Sequence, residues 1–266
     1  METFTFAKRE ISVPTEWNDL SARDLEHVAD LAARSLPLQV FKIYFILYLL
    51  DWHVIGREDD GGFVISRWFR RFSLSSSELN TFAQTQSYIF EQGERDKEWL
   101  VVSKLTRDPY PRIGRLHGPG DILERLTYEQ FMMAQFYESQ LAGDPNRLSY
   151  LLACLWHSGD RFSSDPKRIA RDAGRIERLS FQRQQVMFWL WSGCKTFIQH
   201  KFPRIFQCSD GKASGNVYEE QLRVVDALSG GDMTKKQLVR DGYLYDALVS
   251  MDESLRRQEE REKTLH

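Results

Sequence analysis

The sequence predicts a mainly α protein in which helix-hairpin units pack on one another. A minor β element is expected near the N-terminus and in an insert at 63–105. Two observations predict this fold class. Apolar residues recur at helical spacing through most of the chain, as in the face formed by Leu25, Val28 and Leu31. Alternation at period two, which is typical of strands, is limited to the first residues, and short runs rich in β-forming residues are limited to the insert.

Composition and charge indicate a globular protein without a general affinity for polyanions. The chain has 266 residues, of which 42% are hydrophobic, enough to bury a core in one or two domains. Its 36 basic and 38 acidic side chains give a net charge of −2, unlike a nucleic-acid coat or a polybasic membrane binder. No uncharged stretch approaches the roughly 20 residues that a membrane helix needs, so no membrane partner is expected. Three cysteines and the absence of a signal-peptide pattern favour the cytosol.

The first half of the chain is expected to contain two domains. Residues 1–16 alternate in polarity and predict a β arm or hairpin that Pro14 ends. Residues 17–120 predict a first helical unit, which begins at a capping-box pattern of Ser21 and Asp24 and continues after Pro37 with a buried helix. Within this unit, strands are expected at 63–72 and 99–105, with a helix at 77–92 between them. The proline- and glycine-rich segment 108–121 predicts the domain boundary.

Residues 121–208 predict a second helical unit with the same layout as the first. The segment 126–131 matches 20–25 at an offset of 106 residues, and the dipeptides Trp52-His53 and Trp156-His157 end the two copies. A distant duplication accounts for this match, and the generic similarity of helix hairpins is the alternative. After Asp165-Pro166, a helix to about Leu179 and a long apolar helix are expected.

Residues 209–266 predict C-terminal helices and a charged tail. A helix over 217–228 should stop at Gly230-Gly231. A second should open with a capping-box pattern at Thr234–Gln237 and run beyond residue 250. From Asp252 almost every residue is polar, which predicts either a solvated helix end or a tail that orders on a partner. Deletion of 252–266 should therefore leave folding nearly intact.

The sequence contains none of the common catalytic motifs, such as a phosphate-binding glycine loop or a nucleophile elbow. We therefore expect a protein that is not an enzyme and that uses no cofactor. Five cysteine and histidine residues have the chemistry of metal ligands, but their spacing differs from that of structural zinc sites. We expect core packing rather than a metal site at Cys154, His157, Cys194, His200 and Cys208.

The most basic local feature is the stretch 160–183, with seven basic and four acidic side chains. Within it, four arginines fall at i, i+3, i+7 and i+10 and form one stripe along a predicted helix: Arg168, Arg171, Arg175 and Arg178. This stripe is a candidate binding surface for an anionic partner, either nucleic-acid phosphates or an acidic protein surface. The alternative is a solvated face that Asp172 and Glu177 partly neutralise. Residues 218–263 carry 11 acidic and 8 basic side chains. A further hypothesis is therefore that this acidic tail docks on the basic stripe, either within one chain or between chains, and docking between chains would form a homo-oligomer.

Several short segments resemble uncharacterised, tail-gene-associated proteins of phages and prophages of the Bacteroides group. The resemblance covers roughly residue 100 to the end of the chain, and its segments are 105–112, 116–119, 126–131, 152–156, 201–206 and 227–235. Those proteins look like tail assembly chaperones or minor tail components. The resemblance implies a protein of the host bacterial cytoplasm that binds tape-measure or tail-tube protein without covalent chemistry, and it supplies no site residues.

Three functional hypotheses follow. The first is a tail assembly chaperone. The second is a structural virion component of the tail, neck or baseplate, which would be found in purified particles. The third is a nucleic-acid-binding regulator that uses the arginine stripe, although nucleic acid is the least expected partner because the chain has no net positive charge.

Overall fold

The computed structural model describes residues 1–6, 9–59, 61–92, 99–206 and 217–265. This part of the chain is mainly α-helical with short strands, as the sequence predicts. It divides into two compact units, Met1–Leu105 and Thr106–His266. The division therefore lies before the segment 108–121, whereas the sequence analysis placed it after residue 120. The segment belongs to the second unit because its backbone is tied there: the Trp156 indole N–H donates to the Tyr110 carbonyl at 2.8 Å.

The first unit begins with an antiparallel hairpin of β1 (Glu2–Phe6) and β2 (Arg9–Val13), at the place predicted for the N-terminal β element. Two helices follow, α1 (Ala22–Ala33) and α2 (Leu38–Leu49), and they contact each other. The predicted capping box is confirmed. The Ser21 hydroxyl accepts from the Asp24 amide at 3.3 Å, and the Asp24 carboxylate accepts from the Ser21 amide at 2.9 Å.

The rest of the first unit is a small antiparallel sheet packed with helices. Its strands lie in the order β3 (His53–Arg57), β4 (Phe63–Arg67) and β5 (Arg70–Leu74). The chain continues through α3 (Ser76–Gln84) and a 3-10 turn to a hairpin of β6 (Phe90–Gln92) and β7 (Trp99–Val101). Strand β3 was not predicted, and the predicted helix over 77–92 ends early. A shared core joins sheet and helices and contains Val13, Ile46, Leu47, Leu50, Trp52, Ile65, Leu74, Leu79, Phe82 and Ala83.

The second unit is a cluster of helices around α5. Its helices are α4 (Tyr128–Ser139), α5 (Arg147–Leu155), α6 (Pro166–Ile176), α7 (Phe181–Lys201), α8 (Pro203–Phe206), α9 (Val217–Leu228), α10 (Lys236–Asp241) and α11 (Leu244–Leu265). Helix α5 contacts α4, α6 and α7, and α4 also contacts the C-terminal helices. Because it is surrounded, α5 is lined by fully buried residues from Leu151 to Leu155.

A three-stranded sheet in the second unit was not predicted. Its strands are β8 (Arg112–Ile113), β9 (Leu116–His117) and β10 (His157–Ser158), with β9 in the centre. Each strand has only two residues, so the sequence shows no alternation from which it could be predicted.

The C-terminal helices differ from the expectation of one helix that starts at Thr234. Helix α10 ends at Asp241, and α11 begins at Leu244. The break occurs because the connection pairs with the start of α4: the Tyr128 amide donates to the Gly242 carbonyl at 2.9 Å, and the Leu244 amide donates to the Leu126 carbonyl at 2.8 Å. Thr234 is not a helix cap either, because its amide and hydroxyl both donate to Asp232. The charged C-terminal end is helical as far as Leu265.

Candidate functional site

The predicted arginine stripe lies on α6 and in the turn that follows it. Arg168, Arg171 and Arg175 are on the helix, whereas Arg178 lies just past its last residue, Ile176. Asp165 caps the helix through its carboxylate, which accepts from the Lys167 amide at 3.0 Å, with Pro166 at the first helical position as predicted. Arg168, Arg171 and Arg175 therefore lie on one helix as predicted, whereas Arg178 does not.

The two central arginines of the stripe are bound within the second unit. Asp172 is 3% exposed, and its carboxylate accepts from the Arg175 guanidinium at 2.7 Å and from the Ser158 amide at 2.8 Å. Arg171 donates to the Ser158 hydroxyl at 3.2 Å. Asp172 thus joins α6 to β10 and neutralises the centre of the stripe. Glu177, the other expected counter-charge, accepts from the Ser149 hydroxyl instead.

The two ends of the stripe are different. Arg168 and Arg178 are exposed, and neither makes an ion pair with any residue that the structure describes. The neutralised centre of the stripe lies between them in the chain. Two separate guanidiniums offer less to a phosphate backbone than the continuous row of four that the sequence suggests. The structure therefore weakens the case for nucleic-acid binding through these four arginines.

A shallow pocket beside the stripe is too small for a substrate. Its lining includes His157, Phe162, Arg168 and Asp172, and its volume is about 10 Å³. Ligand pockets usually measure about 300 to 1,000 Å³, whereas this volume fits about one water molecule. The His157 ring packs edge-on against Phe162, and burial lowers the pKa of the imidazole, so His157 is neutral at pH 7. The residues that line this pocket therefore pack α6 against β10 and do not form a reaction site.

The cysteines and histidines considered as metal ligands are dispersed. Cys154 and Cys194 are fully buried, and burial raises the pKa of both thiols. His200 is exposed, and Cys208 lies outside the described residues. Within the part of the chain that the structure describes, no three His, Cys, Asp or Glu side chains are grouped as metal ligands would be.

A surface that the sequence analysis missed lies in the C-terminal part of the second unit. Among the described residues of this unit, its four most exposed large apolar side chains all belong to 233–249: Met233, Leu238, Tyr243 and Val249. Met233 is 74% exposed and Leu238 is 71% exposed. We call residues 233–249 the C-terminal apolar segment. Contiguous exposed apolar side chains are typical of protein-interaction surfaces, which makes this segment a candidate for one.

The C-terminal apolar segment is firmly held, although these side chains are exposed. Its backbone pairs with the start of α4 at Thr127 and Tyr243. Within the segment, Leu244, Ala247 and Leu248 are buried, and the Tyr245 hydroxyl donates to the Ile122 carbonyl at 2.9 Å. The exposed side chains are therefore presented by an ordered surface. Spacing did not predict this exposure, because Leu238 stands in the same helical pattern as the buried Leu244 and Leu248.

Comparisons with known proteins provide no relative for this arrangement. No protein-family model, curated protein sequence or solved structure matches the chain. Across the described residues, none of the helices combines the length and the apolar character needed to cross a bilayer.

Proposed function

We propose that this chain is a non-enzymatic protein of phage tail morphogenesis, a tail assembly chaperone that binds tape-measure or tail-tube protein in the host bacterial cytoplasm. The resemblance over roughly residue 100 to the end of the chain covers the second unit, which spans 106–266. The observation that carries the proposal is the C-terminal apolar segment with its exposed side chains. A chaperone for a long apolar protein needs such a surface before assembly begins.

The chemistry of the segment suits a helical client. Amphipathic helices bind through apolar anchors at successive turns, which dock on exposed aliphatic and aromatic side chains. Methionine and leucine side chains adapt their shape to different anchors, which suits a protein that must bind many segments of one client. Charged residues border the surface, including Lys235 and Asp241. They keep the apolar area limited and favour reversible binding.

Co-purification from cells that express both proteins tests this proposal. The tagged full chain is expressed with the tape-measure or the tail-tube protein encoded beside it, and the amount of co-purified partner is measured. Met233→Ser combined with Leu238→Ser is expected to lower the recovered partner at least about tenfold, because apolar anchors dominate such interfaces. Phe181→Ser is the matched control, since Phe181 is also an exposed apolar residue of the second unit but lies outside the segment. Equal recovery with wild type and double variant, or no recovery with wild type, contradicts the proposal.

We also propose that the helix pairs α1–α2 and α4–α5 are two copies of one hairpin. Both first helices have 12 residues and begin with a capping box, at Ser21 and at Thr127. Both pairs are followed by a strand that starts at the histidine of a Trp-His dipeptide. These shared features support a duplication within the mainly α fold.

A further inference from the structure

The tip of the β4–β5 hairpin exposes two adjacent aromatic side chains. Trp68 and Phe69 form its two-residue turn, and they are 78% and 101% exposed. Trp68 has a backbone φ of +56°, a conformation that hairpin turns of this length usually assign to glycine or asparagine. Large aromatic residues at this position contribute nothing to the core and are unfavourable for the turn. Their presence therefore calls for a role outside the fold.

Three arginines flank the two aromatic residues along the chain, and the opposed pair among them is also unfavourable for the hairpin. Arg67 lies directly opposite Arg70 in the strand register, and like charges at opposed positions destabilise a strand pair. Arg71 follows on the same strand. Among the described residues, none of the three guanidiniums has a carboxylate partner within ion-pair distance. We call residues 67–71 the hairpin tip. Local choices that oppose stability mark functional sites in proteins.

The hairpin tip is preorganised for contact. The Trp68 indole N–H donates to the Asp51 carboxylate at 3.0 Å, which fixes the orientation of the ring. The two strands below the turn pair without interruption from Phe63 to Leu74. On the neighbouring strand β3, Val54 and Ile55 are also exposed. Trp, Arg and other aromatic residues dominate the binding energy of protein interfaces, and rigid presentation lowers the entropic cost of binding.

We propose that the hairpin tip docks a protein segment that presents apolar side chains flanked by carboxylates. The apolar side chains would cover Trp68 and Phe69, and the carboxylates would pair with Arg67, Arg70 and Arg71. A nucleic-acid partner fits less well, because the chain has a net charge of −2 and no general affinity for polyanions. This inference concerns the first unit and does not depend on the proposed chaperone function.

Peptide selection tests the proposal without a known partner. A random library of peptides about twelve residues long is selected on the purified full chain, with counter-selection on the Trp68→Asn/Phe69→Ser variant. Asparagine tolerates positive φ, so this variant keeps the turn. The peptides that distinguish the two proteins are expected to combine Leu, Phe or Ile with Asp or Glu. Their affinity, measured by fluorescence anisotropy, should be at least about tenfold weaker for the variant.

Charge reversal supplies the sharper measurement. The Arg67→Glu/Arg70→Glu variant should bind the selected acidic peptide at least about tenfold more weakly than wild type does. It should bind a version of the peptide with Lys in place of Asp and Glu more tightly than wild type does. Trp99→Ser, at an exposed tryptophan outside the tip, is the matched control and should bind like wild type. The proposal is overturned if no peptide distinguishes the proteins, if the selected peptides lack acidic residues, or if the tip variants instead lose binding to oligo-dT or to phosphatidylglycerol vesicles.

The stability of the variants gives an independent check. Because the tip is unfavourable for the hairpin, the thermal midpoint of Trp68→Asn/Phe69→Ser should be equal to or higher than that of wild type. A midpoint lower by more than about 5 °C would show that the aromatic side chains support the fold, and would overturn the inference.

Discussion

Asp172 connects α6 to β10, and its replacement should destabilise the second unit substantially. In Asp172→Ala, the Ser158 amide loses its acceptor at 2.8 Å and the Arg175 guanidinium loses its partner at 2.7 Å. A buried donor left without an acceptor costs about 1 to 3 kcal/mol, and a charge-assisted hydrogen bond contributes a similar amount. Because Arg175 regains water in part, we expect a total loss of about 3 kcal/mol. For a unit of this size, that corresponds to a lowering of the thermal midpoint by about 6 to 12 °C.

Chemical denaturation followed by circular dichroism measures this loss. Asp172→Asn retains one acceptor oxygen and should lose about half as much free energy of unfolding. Arg178→Ala is the matched control at the exposed end of the stripe, and it should change the free energy by less than about 0.5 kcal/mol. A loss below about 1 kcal/mol for Asp172→Ala, or an equal loss for Arg178→Ala, would refute the conclusion that Asp172 and the central arginines of the stripe stabilise the fold.

Three further predictions concern the second unit. Gly118→Ala should lower the free energy of unfolding by about 3 kcal/mol, because its Cβ would lie 2.7 Å from the Tyr110 carbonyl and 2.9 Å from the Trp156 indole nitrogen. Gly174→Ala lies in open space on α6 and should raise the free energy of unfolding by about 1 kcal/mol. Chemical denaturation of both variants measures these changes, and a Gly118→Ala protein more stable than Gly174→Ala would contradict the prediction. Burial holds the His157 pKa below its ordinary value of 6.5, so the unfolded chain binds more protons and the free energy of unfolding falls as the pH drops through 6.5. Denaturation at neutral and acidic pH should show a smaller loss of this free energy for His157→Phe. An equal loss in wild type and variant would contradict the prediction. Deletion of 252–266 removes the contacts of Arg204 with Asp252 and Glu259, which are partly exposed ion pairs worth about 1 kcal/mol or less each. Calorimetry should therefore show a folded protein, whereas a large loss of thermal stability would contradict this prediction.

The sequence predicted most features that depend on neighbouring residues, although the capping-box pattern at Thr234 forms no helix cap. The capping boxes at Ser21 and Thr127 need only side chains three positions apart, and both are present. The helix that ends at Leu228 is followed by Gly230 and Gly231 with positive φ, as a glycine stop requires. The stripe on α6 also follows from spacing alone.

Features that depend on distant residues were not predictable. Strand β10 exists because His157 pairs with His117, 40 positions away in the chain. The break between α10 and α11 depends on the pairing of Gly242 with Tyr128. In the stripe, the sequence suggested Asp172 as a counter-charge but not Ser158 as its second ligand. For the same reason, the exposure of Trp68 and Leu238 could not be distinguished from burial, since apolar residues at regular spacing look alike in either case.

Quantitative mass spectrometry of purified phage particles, beside material co-purified with the tagged chain from phage-producing cells, tests the chaperone proposal most directly. We expect tape-measure or tail-tube protein in the co-purified material, and no copy of this chain in the particles. Finding the chain in particles at a fixed stoichiometry would contradict the account, because it would make the protein a structural component of the virion.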